Sequence, residues 1–273
     1  MTYGSLAAAT RLLARIEELA SDATGALVFA SRTEPVGTIL LEGGRICWIG
    51  AKGLGRRLTD LLTERSGGLG REQVEDVFGW CSRTGSPLGE ALIESGLLGP
   101  DGLREALSRH SAESLLLIAP HAEQVQWLSH KHRRYDARFT FRAFDLLLAA
   151  GAATAPELAA TATAHLERIL RGGGAGIALA RDDAEKLVCV GGLRCGDWSV
   201  TSVERLASYA GMAVDLADFV APSHEAMAVG QPSGASLTIW RHDEIVYVAV
   251  GADTSLLPLK VASLSGTFTL LRR

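Results

Sequence analysis

Ile177-Ala-Leu-Ala-Arg-Asp-Asp-Ala-Glu-Lys-Leu-Val-Cys-Val190 reads as a β-hairpin, two short apolar runs joined by the polar stretch Arg181–Glu185. Before it, Glu157–Leu170 carries Leu158, Leu166, Ile169 and Leu170 at helical spacing and stops at Gly172-Gly-Gly174. After it, Asp197 to Ser199 can cap a helix that runs to about Phe219. A second hairpin follows, Ser236–Trp240 and Ile245–Val250, joined by Arg241-His242-Asp243-Glu244. Two hairpins separated by a single helix do not build a doubly wound parallel sheet. They build an antiparallel sheet with helices against it.

The first half opens with an amphipathic helix, in which Leu12, Leu13, Ile16 and Leu19 recur at helical spacing between Arg15, Glu17 and Glu18. Short β-rich runs follow at Ala26–Ala30, Val36–Leu41 and Arg45–Ile49. The last two are joined by Glu42-Gly43-Gly44, whose glycines supply the positive φ angles of a tight hairpin. A helix is expected over Arg56–Thr63, then three more over Glu72–Ser82, Leu88–Glu94 and Asp101–Leu117, a helical subdomain at about 71–118. Tyr135 with Arg138–Phe141 suggests a strand pair or a bulged strand. Gly151-Ala-Ala-Thr-Ala-Pro156 is small, uncharged and turn-prone, so the boundary between two domains, 1–150 and 155–273, is placed there. The expected class is α+β. A small antiparallel sheet with a helical, winged-helix-like subdomain comes first, and an antiparallel sheet with flanking helices second.

At 273 residues, 47% hydrophobic and 21% charged, the chain suits two globular domains, each with its own core. Its longest apolar run, Leu146 to Ala153, is too short for a membrane span, and the start has no basic stretch before an apolar core, so no secretory signal is expected. A net charge of −4 and a pI near 6.0 argue against a chain-wide field for nucleic acid. Cys47, Cys81, Cys189 and Cys195 form no CxxC pair, which excludes a disulfide scaffold and fits a reducing cytoplasm.

No motif assembles catalytic chemistry. Gly50-Ala-Lys-Gly-Leu-Gly55 matches neither the Walker nor the dinucleotide spacing, and no G-x-S-x-G elbow occurs. Carboxylates are spread over helix faces and hairpin loops, so no acid–base pair forms. The densest histidine group, His130-Lys131-His132-Arg133-Arg134, is surrounded by cations that repel a metal ion. It reads as a solvated basic turn, with contact from Lys131, Arg133 and Arg134 to an acidic partner as the functional alternative. No catalytic residue, metal or cofactor is therefore expected.

The helix Val200–Phe219 is different. Val203, Leu206, Ala210, Ala213, Val214 and Ala217 form one apolar stripe, enough to seat it on its sheet. Tyr209, Met212, Leu216 and Phe219 form a second, stepped 3, 4, 3, the spacing of a helix–helix seam. A helix with two apolar faces must be covered twice, either by the rest of this chain or by another molecule.

The α-β-β-α-β-β order from Ala155 onward, with Gly174–Ala180 as first strand and Ile245-Val-Tyr-Val-Ala-Val250 as last, resembles the roadblock/dynein light chain (longin-like) family. That resemblance implies dimerisation through the long helix and the neighbouring strand Ser236–Trp240, bringing Trp240 to the contact, and binding to Ras-like GTPases. Residues Ala23 to about Phe144 resemble the bacterial PATAN domain, on Thr24-Gly25 entering a strand, the hairpin Gly37–Trp48, and Phe139-Thr-Phe-Arg-Ala-Phe144. That resemblance implies a protein-interaction module. Leu88–His110 is similar to the helical motif of type II secretion ATPase N-terminal domains, some of which bind cyclic di-GMP. Here one copy is present, and Pro87 and His110 stand where that motif has Arg and Gln.

These observations lead to the expectation of a cytoplasmic, non-enzymatic bacterial signalling adaptor that homodimerises and binds a Ras-like small GTPase or another roadblock protein. The alternatives are a regulator that stimulates a GTPase in trans, a cyclic di-GMP sensor, and a winged-helix DNA binder. The last is disfavoured because 72–117 carries only Arg83, Arg104 and Arg109 against eight acidic residues.

Overall fold

The computed structural model describes residues 2–31, 34–65, 70–84, 88–122, 124–131, 135–170, 173–196, 198–220, 226–230, 236–251 and 261–264. Side chains are described for all of these except 64, 65, 71, 88, 216–220, 226–230, 236 and 261–264. The first half contains α1 (Tyr3–Glu17), β1 (Gly25–Ser31), β2 (Glu34–Glu42), β3 (Arg45–Ala51), α2 (Leu58–Arg65), α3 (Arg71–Thr84), α4 (Leu88–Glu94), α5 (Pro100–Ile118) and β4 (Val125–Ser129). Then come α6 (Ala143–Thr154), α7 (Pro156–Ile169), β5 (Ala175–Arg181), β6 (Leu187–Leu193), α8 (Val200–Val220), β7 (Ala226–Gly230), β8 (Ser236–His242), β9 (Ile245–Val250) and β10 (Val261–Leu264). The class is α+β.

Two units form. One joins Met1–Ala14 to Gly151–Arg273, and the other is Arg15–Ala150. The sequence places the opening helix wholly within 1–150; in the structure its first part groups with the C-terminal half. Leu6, Ala9 and Leu13, spaced three and four apart, are fully buried, and Tyr3 lines a cleft with Leu158 of α7 and Val246 of β9.

The 15–150 unit is built on an antiparallel sheet ordered β3-β2-β1-β4. Gly43 and Gly44 turn the β2–β3 hairpin at φ 57° and 71°, the conformation their sequence predicts. Helices α2 to α5 enclose a separate cluster of Leu61, Leu62, Val74, Leu92, Leu103 and Ala106. The C-terminal half of α5 packs on β3, where the His110 ring meets the Trp48 indole at 4.7 Å. The stretch from Tyr135 to Phe141, expected to be a strand pair or a bulged strand, instead holds a 3-10 turn at Ala137–Phe139 and a single bridge from Phe141 to Ile46, and the strand lies earlier, at β4. Arg45 holds this segment by donating from Nε to Thr140 Oγ1 at 2.6 Å and from Nη2 to Thr140 O at 2.9 Å.

In the other unit the sheet order is β10-β7-β8-β9-β5-β6. It is antiparallel except for the parallel β7–β10 pair, two strands the sequence pattern does not announce. Register places Gly176, Ala178 and Tyr247 on one face. That is the α7 face, because a Cβ on Gly176 would meet Leu166 Cδ2 at 2.9 Å and the Tyr247 ring lies 4.6 Å from His165. Arg181, Leu187 and Val246 lie on the opposite face, against α8. Coverage on both faces explains why β5 and β9 are continuous apolar runs rather than alternating ones. Asp182 fixes the β5–β6 turn by accepting from the backbone N–H groups of Ala184 at 2.9 Å and Lys186 at 2.8 Å.

The expected turn at Gly151–Pro156 is instead the end of α6, which stays helical to Thr154 before Pro156 opens α7. Gly151 is explained by close approach rather than by turning. A Cβ there would lie 2.8 Å from Cys189 O and from Val190 Cα.

Candidate functional site

Helix α8 seats one face on its sheet and leaves another exposed among the described residues. Val203, Ala207, Ala210 and Val214 are buried, while Leu206 and Ala213 are half-buried. Gly211 passes over Leu187, and Arg181 ties the helix to β5 by donating to Asp215 Oδ1 at 3.1 Å. Tyr209 is 48% exposed and Met212 58%, with Arg205, Ser208 and Asp215 exposed around them. The structure thus brings together two of the four expected seam residues. The other two, Leu216 and Phe219, lie outside the residues whose side chains are described.

Trp240 is a correction. It is only 1% exposed, so it offers no contact surface. Its indole stacks on Tyr247 at 5.1 Å and its Nε1–H donates to His165 Nε2 at 3.1 Å. Register is the reason: Trp240 pairs with Tyr247 on the sheet face that α7 covers. Lys131 is exposed as expected, whereas Arg133 and Arg134 lie outside the described residues.

The sequence pattern gives no sign of the ring cluster around His165. The imidazole stacks on His242 at 4.5 Å and lies tilted against Tyr247 at 4.6 Å, and Arg168 approaches Nδ1 at 3.1 Å. Burial first, then the charges of His242 and Arg168, pull the His165 pKa down to about 4. The Tyr247 hydroxyl is buried with no hydrogen-bond partner among the described residues, and burial pushes its pKa up to about 12. The available signal was His165 itself, standing on the apolar stripe of α7 between Ala162 and Ile169.

All four cysteines are buried; burial raises the thiols of Cys47 and Cys189 to about 12 and of Cys195 to about 11, the reverse of an activated nucleophile. Among the described residues no group of three or more His, Cys, Asp or Glu side chains could hold a metal ion. The α1–α7 cleft, about 410 Å³, is lined by charges of both signs, Arg181 and Arg241 with Asp243 and Glu244. None of the described helices is long and apolar enough to cross a membrane. The cations of the helical subdomain are Arg71, Arg83, Arg104 and Arg109. Arg104 lies over the Phe141 ring at 4.8 Å and Arg109 pairs with Glu113 at 3.2 Å.

No family model matches this chain, and no curated protein or solved structure matches it either.

Proposed function

We propose that the protein is a cytoplasmic, non-catalytic signalling adaptor that homodimerises through α8 and presents its surfaces to a Ras-like small GTPase or another roadblock protein. The observation that carries this is the exposure of Tyr209 and Met212, side by side on a helix whose other face is already occupied. Large apolar side chains left in water forgo on the order of 1.5–3 kcal/mol each, which a covering partner recovers.

The exposed face is also self-complementary. An antiparallel pairing of two copies about a two-fold axis between Tyr209 and Met212 would set Tyr209 of one beside Met212 of the other. That is the isologous arrangement a symmetric dimer requires.

The test is light scattering on the full chain and on the double variant Tyr209→Glu, Met212→Glu. The wild type is expected to be a dimer, and the variant a folded monomer with unchanged circular dichroism. A wild-type chain that stays monomeric at high concentration overturns the dimer, and absence of any GTPase from complexes captured with the native dimer overturns the partner.

A further inference from the structure

We infer that the outer edge of β4 is a docking site for an acidic, extended segment of a partner protein, which adds to the sheet as a fifth strand. The inference rests on the reading of this unit as an interaction module and is independent of the α8 dimer.

Strand β4 ends the β3-β2-β1-β4 sheet, so alternate residues direct their N–H and C=O groups away from β1. Among the described residues no strand takes these groups. Natural edge strands are usually blunted by a lysine, a proline, a bulge or a covering segment. β4 carries none of these. Val125-Gln-Trp-Leu-Ser129 is uncharged, its register with β1 runs unbroken from Gly25↔Ser129 to Phe29↔Val125, and all but Val125 are exposed. The other edges whose side chains are described are protected. Strand β3 is bridged at Ile46 by Phe141, and β6 is buried from Val188 to Gly191.

The apolar grip is two-sided. Trp127 and Leu128, 39% and 45% exposed, point to opposite faces because they are consecutive in a strand. An added strand would therefore cover one ring on one face and one aliphatic chain on the other. Trp127 is held in place from beneath: it lies over Gly25, where a Cβ would fall 2.3 Å from its ring. Gly25 leaves the indole room to lie flat along the edge.

Charge selects the partner. The chain leaves β4 directly into His130-Lys131-His132-Arg133-Arg134, three fixed cations in five residues. The Lys131 ammonium is exposed and has no carboxylate partner among the described residues. Main-chain bonds along β4 would supply the pairing, and the Lys131 ammonium at its end would favour Glu- or Asp-rich segments over neutral or basic ones.

The experiment measures fluorescence anisotropy of a labelled, acetylated peptide alternating Glu with Val and Ile, titrated with the full-length chain. Three comparisons accompany it: the same peptide N-methylated at alternate residues, its Lys-for-Glu counterpart, and the Leu128→Lys and Lys131→Glu chains. The acidic peptide is expected to bind saturably. N-methylation, which blocks strand pairing while leaving the protein untouched, should weaken it about tenfold or more, as should Leu128→Lys. Lys131→Glu should weaken binding and flatten its salt dependence. The inference is overturned by no saturable binding, by equal binding of the N-methylated peptide, or by preference for the Lys peptide or for duplex DNA. Self-association abolished by Leu128→Lys also overturns it, since a second copy would then own the edge. Because the α8 dimer is scored separately by Tyr209→Glu with Met212→Glu, either reading can fail alone.

Discussion

Lowering the pH should loosen the 151–273 core through one side chain, His165. Trp240 Nε1 and Arg168 Nη2 are both donors, each 3.1 Å from a ring nitrogen, Nε2 and Nδ1 respectively, and a neutral imidazole accepts from one of them. A second proton would take that one acceptor and break the bond it receives. It would also meet Arg168 and the stacked His242, with only Asp243 acting in its favour. Burial, the largest cause, together with the charges of His242 and Arg168 brings the folded-state pKa to about 4, against an ordinary 6.5. Between those values the unfolded chain takes up a proton that the folded chain refuses. Stability contributed by the neutral ring is thus complete above pH 6.5 and falls as the pH drops toward 4. The full loss is about 3 kcal/mol, from 1.36 kcal/mol per pH unit of displacement. Native-state hydrogen exchange of β5 and β9 amides, corrected for intrinsic rates, measures it without requiring both units to unfold together. His165→Gln keeps an acceptor for Trp240 but does not titrate, so its stability should be flatter with pH by that amount. Parallel pH profiles for the wild type and His165→Gln would refute the reasoning.

Tyr247→Phe removes a buried hydroxyl that has no partner among the described residues, so it should be neutral or stabilising by roughly 1 kcal/mol in a denaturant melt. A clear loss of stability would mean that the hydroxyl has a partner. Gly151→Ala should destabilise by about 1–3 kcal/mol although alanine is the better helix former. The new Cβ presses on the β6 main chain at Cys189 and Val190, which cannot rotate away. A raised melting temperature for this variant would show that α6 and β6 part easily.

Local physics was legible in the chain. Paired glycines at Gly43 and Gly44, the Asp182 turn and the apolar stripes of α5, α7 and α8 are set by neighbours within a few residues, so their elements could be read directly. The separation of Tyr209 and Met212 from the buried stripe of α8 was legible for the same reason, since a 3.6-residue period assigns faces from local spacing. Helix α6 escaped because Ala143–Thr154 is apolar nearly all round and shows no period. Strands β7 and β10 pair in parallel at a sequence separation of 35 residues, from Ala226 with Val261 to Val229 with Leu264, a register that no local pattern encodes. The fate of Trp240 was likewise decided by tertiary structure. The sequence marked a large ring on a strand, and only the pairing with Tyr247 and the position of His165 show that α7 covers that face. Composition and spacing determine which segments are helices and strands and which faces are apolar. Which apolar face finds cover within the chain, and which is left for another molecule, depends on contacts between residues far apart in sequence, and those exist only once the chain has folded.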